Sequence, residues 1–146
     1  MKLARITAIV ALLALPVLVE AQTHSNPDAQ VYFANVSDGD TVTSPFTVIF
    51  GLSGMGVAPA GTKAGMTGHH HLLIDRPPLG QGEDGVDELI YALPSDEHHR
   101  HFGGGQTEVT LDLPAGTHTL QLVLGDASHV PHAEPVVSDV ITITVD

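Results

Sequence analysis

Apolar residues alternate with polar ones in short runs along most of the chain, and glycine, proline, aspartate and asparagine separate these runs. The alternation is clearest over residues 107–113, where Val109, Leu111 and Leu113 share one parity. Because successive side chains of a β-strand point to opposite faces, this period indicates strands with one buried face. No stretch of the sequence shows the period of an amphipathic helix. The sequence therefore predicts an all-β fold.

Seven strands follow from this pattern. We predict them over residues 31–36, 46–52, 69–75, 88–93, 107–113, 117–124 and 137–145. Residues 114–116 have the composition of a tight turn, while residues 53–68 form a glycine-rich connection and residues 94–105 a polar one. Seven short strands in a chain of single-domain length are typical of an antiparallel immunoglobulin-like β-sandwich.

The first 21 residues have the features of a secretory signal peptide. Lys2 and Arg5 precede an apolar run over residues 6–19, and a small residue, Ala21, stands where signal peptidase reads the chain. The run is short for a membrane span and no second run follows it. We therefore expect a periplasmic or secreted protein with no membrane span after cleavage. Its three parts are a signal peptide (1–21), a flexible segment (22–30) and the sandwich (31–146).

Charge and cysteine content exclude several classes of function. The chain has 17 acidic residues and 5 lysines and arginines, a formal net charge of -12. Such a chain repels phosphate backbones, so nucleic acid is excluded as a partner. There is no cysteine, which excludes disulfides, thiolate zinc sites, iron–sulfur clusters and cysteine nucleophiles. Stability must come from a hydrophobic core, from a bound metal, or from both.

Ten histidines are the most distinctive part of the composition. If the seven strands run up and down, chain direction places nine of the ten at one end of the sandwich. The nine are His24, His69, His70, His71, His98, His99, His101, His129 and His132. The tenth, His118, is expected at the opposite end in a structural or exposed position.

Four of these histidines are the strongest candidates for metal ligands. Strand alternation places His69 and His71 on one face about 7 Å apart, close enough to share an ion. His101 and His129 would supply a third and a fourth ligand. Imidazole ligation suits copper, zinc or nickel, and the order of affinities favours copper, with zinc as the next choice.

Other residues are weaker candidates for the same site. His70 shares parity with Leu72 and Ile74, so we expect a buried, hydrogen-bonded core residue there. Two acids could be oxygen ligands or could orient the ligating rings. The weaker candidates are His24, His98, His99, His132, Asp75 and Asp126.

Two segments carry a resemblance to a known family. GHHHLLID at residues 68–75 and HFGGGQT at residues 101–107 resemble a family of short exported bacterial proteins described as a domain of unknown function. This resemblance covers nearly the whole chain after residue 21 and implies no particular activity. Residues 38–42, 113–122 and 141–145 are similar to the bacterial immunoglobulin-like repeats of secreted proteins, which implies the fold alone.

Three hypotheses for function follow. The leading one is an exported protein that binds a transition metal, most favourably copper, for carriage or sequestration. The second is a non-catalytic module that docks a periplasmic protein or an envelope polymer without metal. The third is a pH-responsive module in which clustered imidazoles take up protons. A binding protein is favoured over an enzyme, since no Gly-x-Ser-x-Gly motif supports a hydrolase.

Overall fold

The fold is described from a computed structural model that defines residues 22–83 and 85–146. The predicted signal peptide lies outside the described residues. The described chain contains nine strands and one short helix: β1 (Gln30–Phe33), β2 (Thr41–Val42), β3 (Phe46–Ser53), β4 (Gly56–Val57), β5 (Thr67–Ile74), α1 (Gly85–Glu88), β6 (His99–His101), β7 (Glu108–Leu111), β8 (Gly116–Gly125) and β9 (Ile141–Val145). Within these residues no helix is long and apolar enough to cross a membrane.

The strands form two sheets. The smaller sheet has the order β1-β3-β7, and the larger has the order β2-β9-β8-β5-β4, with β6 also paired to β5. The principal pairs are antiparallel, whereas the two-residue strands β2 and β4 pair in parallel with β9 and β5. The predicted all-β sandwich is confirmed, and its antiparallel order is modified by short parallel additions.

The main core lies between the two sheets. Strands β5, β8 and β9 contribute one face, where Leu72, Leu122 and Ile143 are at most 1% exposed. Val48 and Leu111 of the smaller sheet are fully buried against this face. Burying one such side chain contributes about 2 kcal/mol before the loss of conformational entropy is counted. This core holds β5 and β8 in a fixed position.

A second apolar cluster covers the other face of the larger sheet. Leu73 of β5 and Val123 of β8 point away from the main core, because their strand neighbours Leu72 and Leu122 point into it. Leu93 packs on both, with Leu79 at the edge of the cluster. The connection between β5 and β6 therefore folds back over this outer face.

One predicted strand is wrong. Residues 88–93 were expected to pair in a sheet, but the chain there ends α1 and continues as a turn. Ile90 and Tyr91, two neighbours, are both exposed at 47% and 62%, whereas a half-buried strand would hide one of the two. Leu93 packs on the outer face of the larger sheet and holds the turn there. This run therefore covers that face and does not pair with it as a strand.

The prediction also missed short strands. Strand β6 lies inside the polar connection expected over residues 94–105, because the buried face of β6 carries imidazoles in place of aliphatic side chains. Strands β2 and β4 are two residues long and follow no alternation. The last predicted strand, 137–145, is regular only over Ile141–Val145, with one isolated bridge between Val137 and Val123.

Replacement of Leu93 tests the cover over the outer face. Leu93→Ala removes a side chain that is 7% exposed and packs on Leu73 and Val123. We expect the free energy of unfolding, measured by urea denaturation, to fall by about 2–4 kcal/mol. The neighbouring control Ile90→Ala, at a site that is 47% exposed, should change it by less than about 1 kcal/mol. Equal effects of the two changes would contradict this packing.

Candidate metal centre

Strand β5 places two imidazoles on the outer face of the larger sheet. His69 and His71 lie two residues apart and alternate with His70 and Leu72, which point into the main core. The ring of His70 packs on Phe50 of the smaller sheet with centroids 5.2 Å apart. His69 and His71 are fully buried, and their Nε2 atoms lie 3.1 Å apart.

Two neighbouring segments each bring one further imidazole to the same face. Strand β6 pairs with β5 so that His101 lies directly opposite His71. Strand β8 pairs with β5 on the other side, with Gly125 opposite His69. The chain then turns, and His129 of the following loop places its Nδ1 atom 3.1 Å from Nε2 of His69.

The four rings converge on one point. One ligand atom from each of His69, His71, His101 and His129 lies within 4.8 Å of all the others. A tetrahedral ion bound to imidazole nitrogens at about 2.0–2.1 Å would separate those nitrogens by about 3.3 Å. The two contacts of 3.1 Å at Nε2 of His69 are close to that spacing. The four strongest sequence candidates can therefore hold a metal ion in this structure.

Hydrogen bonding alone accounts poorly for this arrangement. A neutral imidazole has one N–H donor and one acceptor, so Nε2 of His69 cannot donate to both of its nitrogen neighbours. Among the described residues, Nε2 of His101 is buried and has no hydrogen-bond partner. A buried polar atom without a partner costs about 1–3 kcal/mol. A cation that accepts the converging lone pairs would remove much of this cost.

Burial keeps the rings of His69, His71 and His101 neutral. Desolvation, followed by repulsion from neighbouring imidazoles, lowers the pKa of His69 to about 4 and that of His71 to about 2. The same two causes lower the pKa of His101. At neutral pH these rings therefore present lone pairs, which is the state in which imidazole binds a metal.

Asp126 shapes the loop that carries His129. Its Oδ1 atom accepts hydrogen bonds from the backbone N–H groups of Ser128 and Val130 at 2.8 Å and 3.0 Å, and its Oδ2 atom accepts one from the Thr23 hydroxyl. His129 itself has a left-handed backbone with φ 68°. Asp126 lies outside the converging set, and it holds the turn that aims His129 at His69.

Two glycines, Gly125 and Gly103, leave space for the imidazole rings. A Cβ atom on Gly125 would lie 2.7 Å from Nε2 of His71, and one on Gly103 would collide with the ring of His101. A strap of residues 58–65 crosses this region: Ala60 donates a hydrogen bond to Gly103 and Gly61 donates one to Ala127, both at 2.8 Å. The strap thus connects the segments that follow β6 and β8.

His99 borders the site without joining it. Its ring stands edge-on to His71 with centroids 5.5 Å apart, but its Nδ1 atom accepts a hydrogen bond of 2.9 Å from Arg76. Arg76 is also paired with the buried carboxylate of Glu88. Burial first, and then the charge of Arg76, lower the pKa of His99 to about 4. His99 is therefore a neutral wall of the site.

The other weaker candidates lie outside the converging set. His24 is exposed beside Glu134, and His98 donates a hydrogen bond from Nδ1 to the Ile74 carbonyl. His132 is buried with Nδ1 2.8 Å from the Thr23 hydroxyl. None of these three histidines contributes a ligand atom to the converging set.

Asp75 was expected to be an oxygen ligand or to orient the ligating rings, but it lies outside the converging set. It follows the far end of β5 from His69 and accepts a hydrogen bond of 2.6 Å from Nδ1 of His118. This hydrogen bond raises the pKa of His118, whose Nε2 atom donates to the Pro114 carbonyl. Asp75 and His118 form a structural pair, as was expected for His118 but not for Asp75.

Arg76 and the two glycines were not predicted from the sequence as parts of the site. The signal for Gly125 is the strand register, which places it opposite His69, and a register is not visible before strands are paired. Gly103 is the first of three consecutive glycines in the HFGGGQT segment. The sequence alone indicates no structural role for it.

Comparisons with known proteins give one match. A family model described as a domain of unknown function (DUF4399) matches residues 48–146, which is more than half of the chain and includes all four converging histidines. No curated protein matches the chain, and no solved structure does.

The buried imidazoles predict a marked acid sensitivity of the metal-free protein. The unfolded chain protonates these rings near pH 6.5, whereas His69, His71 and His99 in the folded chain resist protonation down to about pH 4 or below. Stability is therefore present above pH 6.5 and is lost as the pH falls. Each ring contributes a slope of about 1.4 kcal/mol per pH unit below pH 6.

Urea denaturation in the presence of a chelator at pH 7.5, 6.5, 5.5 and 4.5 would measure this slope. His71→Asn removes one of the titrating rings and should reduce the slope by about one proton. A free energy of unfolding that stays constant or rises from pH 7.5 to 4.5 would contradict the neutral, desolvated state of these rings.

Proposed function

Because the chain belongs to the DUF4399 family, a domain of unknown function, we propose its role from its site: an exported β-sandwich that binds a transition metal ion, copper by preference, and carries or sequesters it. One observation supports this above all others. Ligand atoms of His69, His71, His101 and His129 lie within 4.8 Å of one another on the outer face of the larger sheet.

The chemistry of the four donors favours a transition metal. Calcium and magnesium take oxygen ligands, and the converging atoms are all imidazole nitrogens. Imidazole binds copper, zinc, nickel and iron, and a site of given ligands generally binds Cu²⁺ more tightly than Zn²⁺. Copper is therefore the first choice and zinc the second.

Accessibility and ligand number favour holding an ion over catalysis. His69 and His71 are fully buried, whereas His101 and His129 are partly exposed, so an ion can reach the site from one side. Four protein ligands complete a tetrahedral shell, while a catalytic site keeps one position open. The acidic excess of the chain attracts cations toward the protein.

Export is part of this proposal. The segment over residues 1–21 has the composition of a signal peptide, and the chain is without cysteine. A nitrogen-only site suits the periplasm or the extracellular medium, because it has no thiolate to oxidise there.

Metal titration of the protein that begins at Gln22 tests the site. The protein is purified without metal-affinity resin and titrated with Cu²⁺ and with Zn²⁺, alongside His71→Ala. We expect His71→Ala to lose one tightly bound equivalent, because His71 is buried among the other three rings. His98→Ala is the matched control, since His98 is half-exposed and outside the cluster, and it should keep that equivalent.

Thermal melting separates loss of a ligand from loss of the fold. With free metal at about 100 times its Kd, the wild type should gain about 2.7 kcal/mol, a rise in Tm of about 10 °C. His71→Ala should melt cooperatively without metal and show no such rise. Binding no tighter than millimolar, or unchanged in His71→Ala, would refute the metal site. If protein purified after growth with added copper contains no metal, this result would instead favour the second hypothesis, a module that docks a protein or an envelope polymer without metal.

Gly125→Ala tests the geometry without removing a ligand. The added methyl group would lie 2.7 Å from Nε2 of His71 and 3.5 Å from Cα of His129. Because the ring must shift, we expect metal affinity to fall by at least about tenfold. Gly65→Ala is the control, since nothing lies within 4 Å of a Cβ atom there. Wild-type affinity in Gly125→Ala would show that the ion does not sit against β8.

A further inference from the structure

We propose that cleavage after Ala21 creates a second metal site, formed by the new N-terminal residues Gln22, Thr23 and His24 and selective for Cu²⁺ or Ni²⁺. This proposal rests on the export and cleavage proposed above, but it is independent of the histidine cluster. It requires histidine to be the third residue of the exported chain, which is its position if Gln22 is the first.

The chemistry of such an N-terminus is specific. The amine of Gln22, the amide nitrogens of Thr23 and His24, and Nδ1 of His24 would surround one ion in a plane. Four nitrogens in a plane are the preferred ligation of Cu²⁺ and Ni²⁺. Binding releases the protons of the two amides and of the ammonium group, so it strengthens as the pH rises.

The structure anchors this segment through the side chains that the site does not use. Nε2 of Gln22 donates hydrogen bonds to the carbonyls of Leu89 and Pro131. The Thr23 hydroxyl donates to Asp126 and lies 2.8 Å from Nδ1 of His132. The side chains of residues 22 and 23 thus hold the segment on the surface without occupying its backbone nitrogens.

The nitrogen atoms themselves are available. Among residues 22–83 and 85–146, no hydrogen bond uses the backbone N–H of Thr23 or His24, and the backbone link of this segment is the Thr23 carbonyl, which accepts from Ala133 at 2.9 Å. The His24 side chain is 76% exposed, and its Nδ1 atom contacts the exposed carboxylate of Glu134 at 3.1 Å. A solvent-exposed pair of this kind is weak, so His24 can turn to a metal.

The test begins with the N-terminus. Full-length protein is exported from a bacterial host by its own signal segment, and its mass is measured. A mass that begins at Gln22 with an intact amine supports the proposal. Another first residue, or a Gln22 closed as pyroglutamate, would overturn it.

Metal chemistry is then measured on protein prepared with Gln22 as its first residue. The wild type, His24→Ala and a protein with one Ala inserted before Gln22 are titrated with Cu²⁺ and followed by visible absorption and electron paramagnetic resonance. The insertion keeps every side chain but moves histidine to the fourth position. We expect one equivalent with a square-planar four-nitrogen spectrum in the wild type, and its loss in both variants.

His71→Ala makes the two sites distinguishable. It should keep the square-planar equivalent and lose the other one, whereas His24→Ala should do the reverse. A square-planar signal that persists after the Ala insertion, or that disappears in His71→Ala, would overturn the N-terminal site. Failure of the histidine cluster to bind would leave the square-planar equivalent of the wild type in place.

Discussion

The register of β5 against its two neighbours is the constraint on which the site depends. His71 lies opposite His101 of β6, and His69 lies opposite Gly125 of β8. A shift of β5 by one residue would turn both imidazoles into the main core and move Leu72 to the outer face, among the other imidazoles. The aliphatic side chains of β5 fix this register, because they fill the space between the sheets. The core of the sandwich therefore positions ligands that lie outside it.

The same arrangement has an electrostatic cost. Imidazoles buried against one another are destabilised when charged, and the guanidinium of Arg76 lies close behind them. Arg76 is itself compensated by the buried carboxylate of Glu88 and donates to His99. The outer face thus contains a cation that is paired and a group of rings that is neutral. The four converging rings supply lone pairs that a metal ion could bind.

Much of this could be predicted from the sequence. Strand alternation in residues 107–113 and 117–124 predicts strands that the structure contains, and parity alone placed His69 and His71 on one face. The pairing of β6 could not be predicted, because β6 carries the imidazoles of His99 and His101 at positions where an alternating pattern is expected to have aliphatic residues. The run 88–93 was misassigned for the converse reason, since its apolar residues cover a face and do not pair. Asp75 was misplaced because a carboxylate near histidines in sequence need not be near them in space.

The backbone of His129 has a consequence for the substitutions that this position can accept. A residue with φ 68° is in the left-handed region, where glycine, asparagine, aspartate and histidine are tolerated and a β-branched residue is strained. The residue at position 129 must therefore meet two requirements: its side chain must reach His69, and its backbone must tolerate a positive φ. Asparagine would tolerate the positive φ but would not supply the imidazole. A related protein with asparagine at position 129 could therefore keep the conformation of this loop while lacking the fourth imidazole, so the fold of this face can be retained without its complete set of metal ligands.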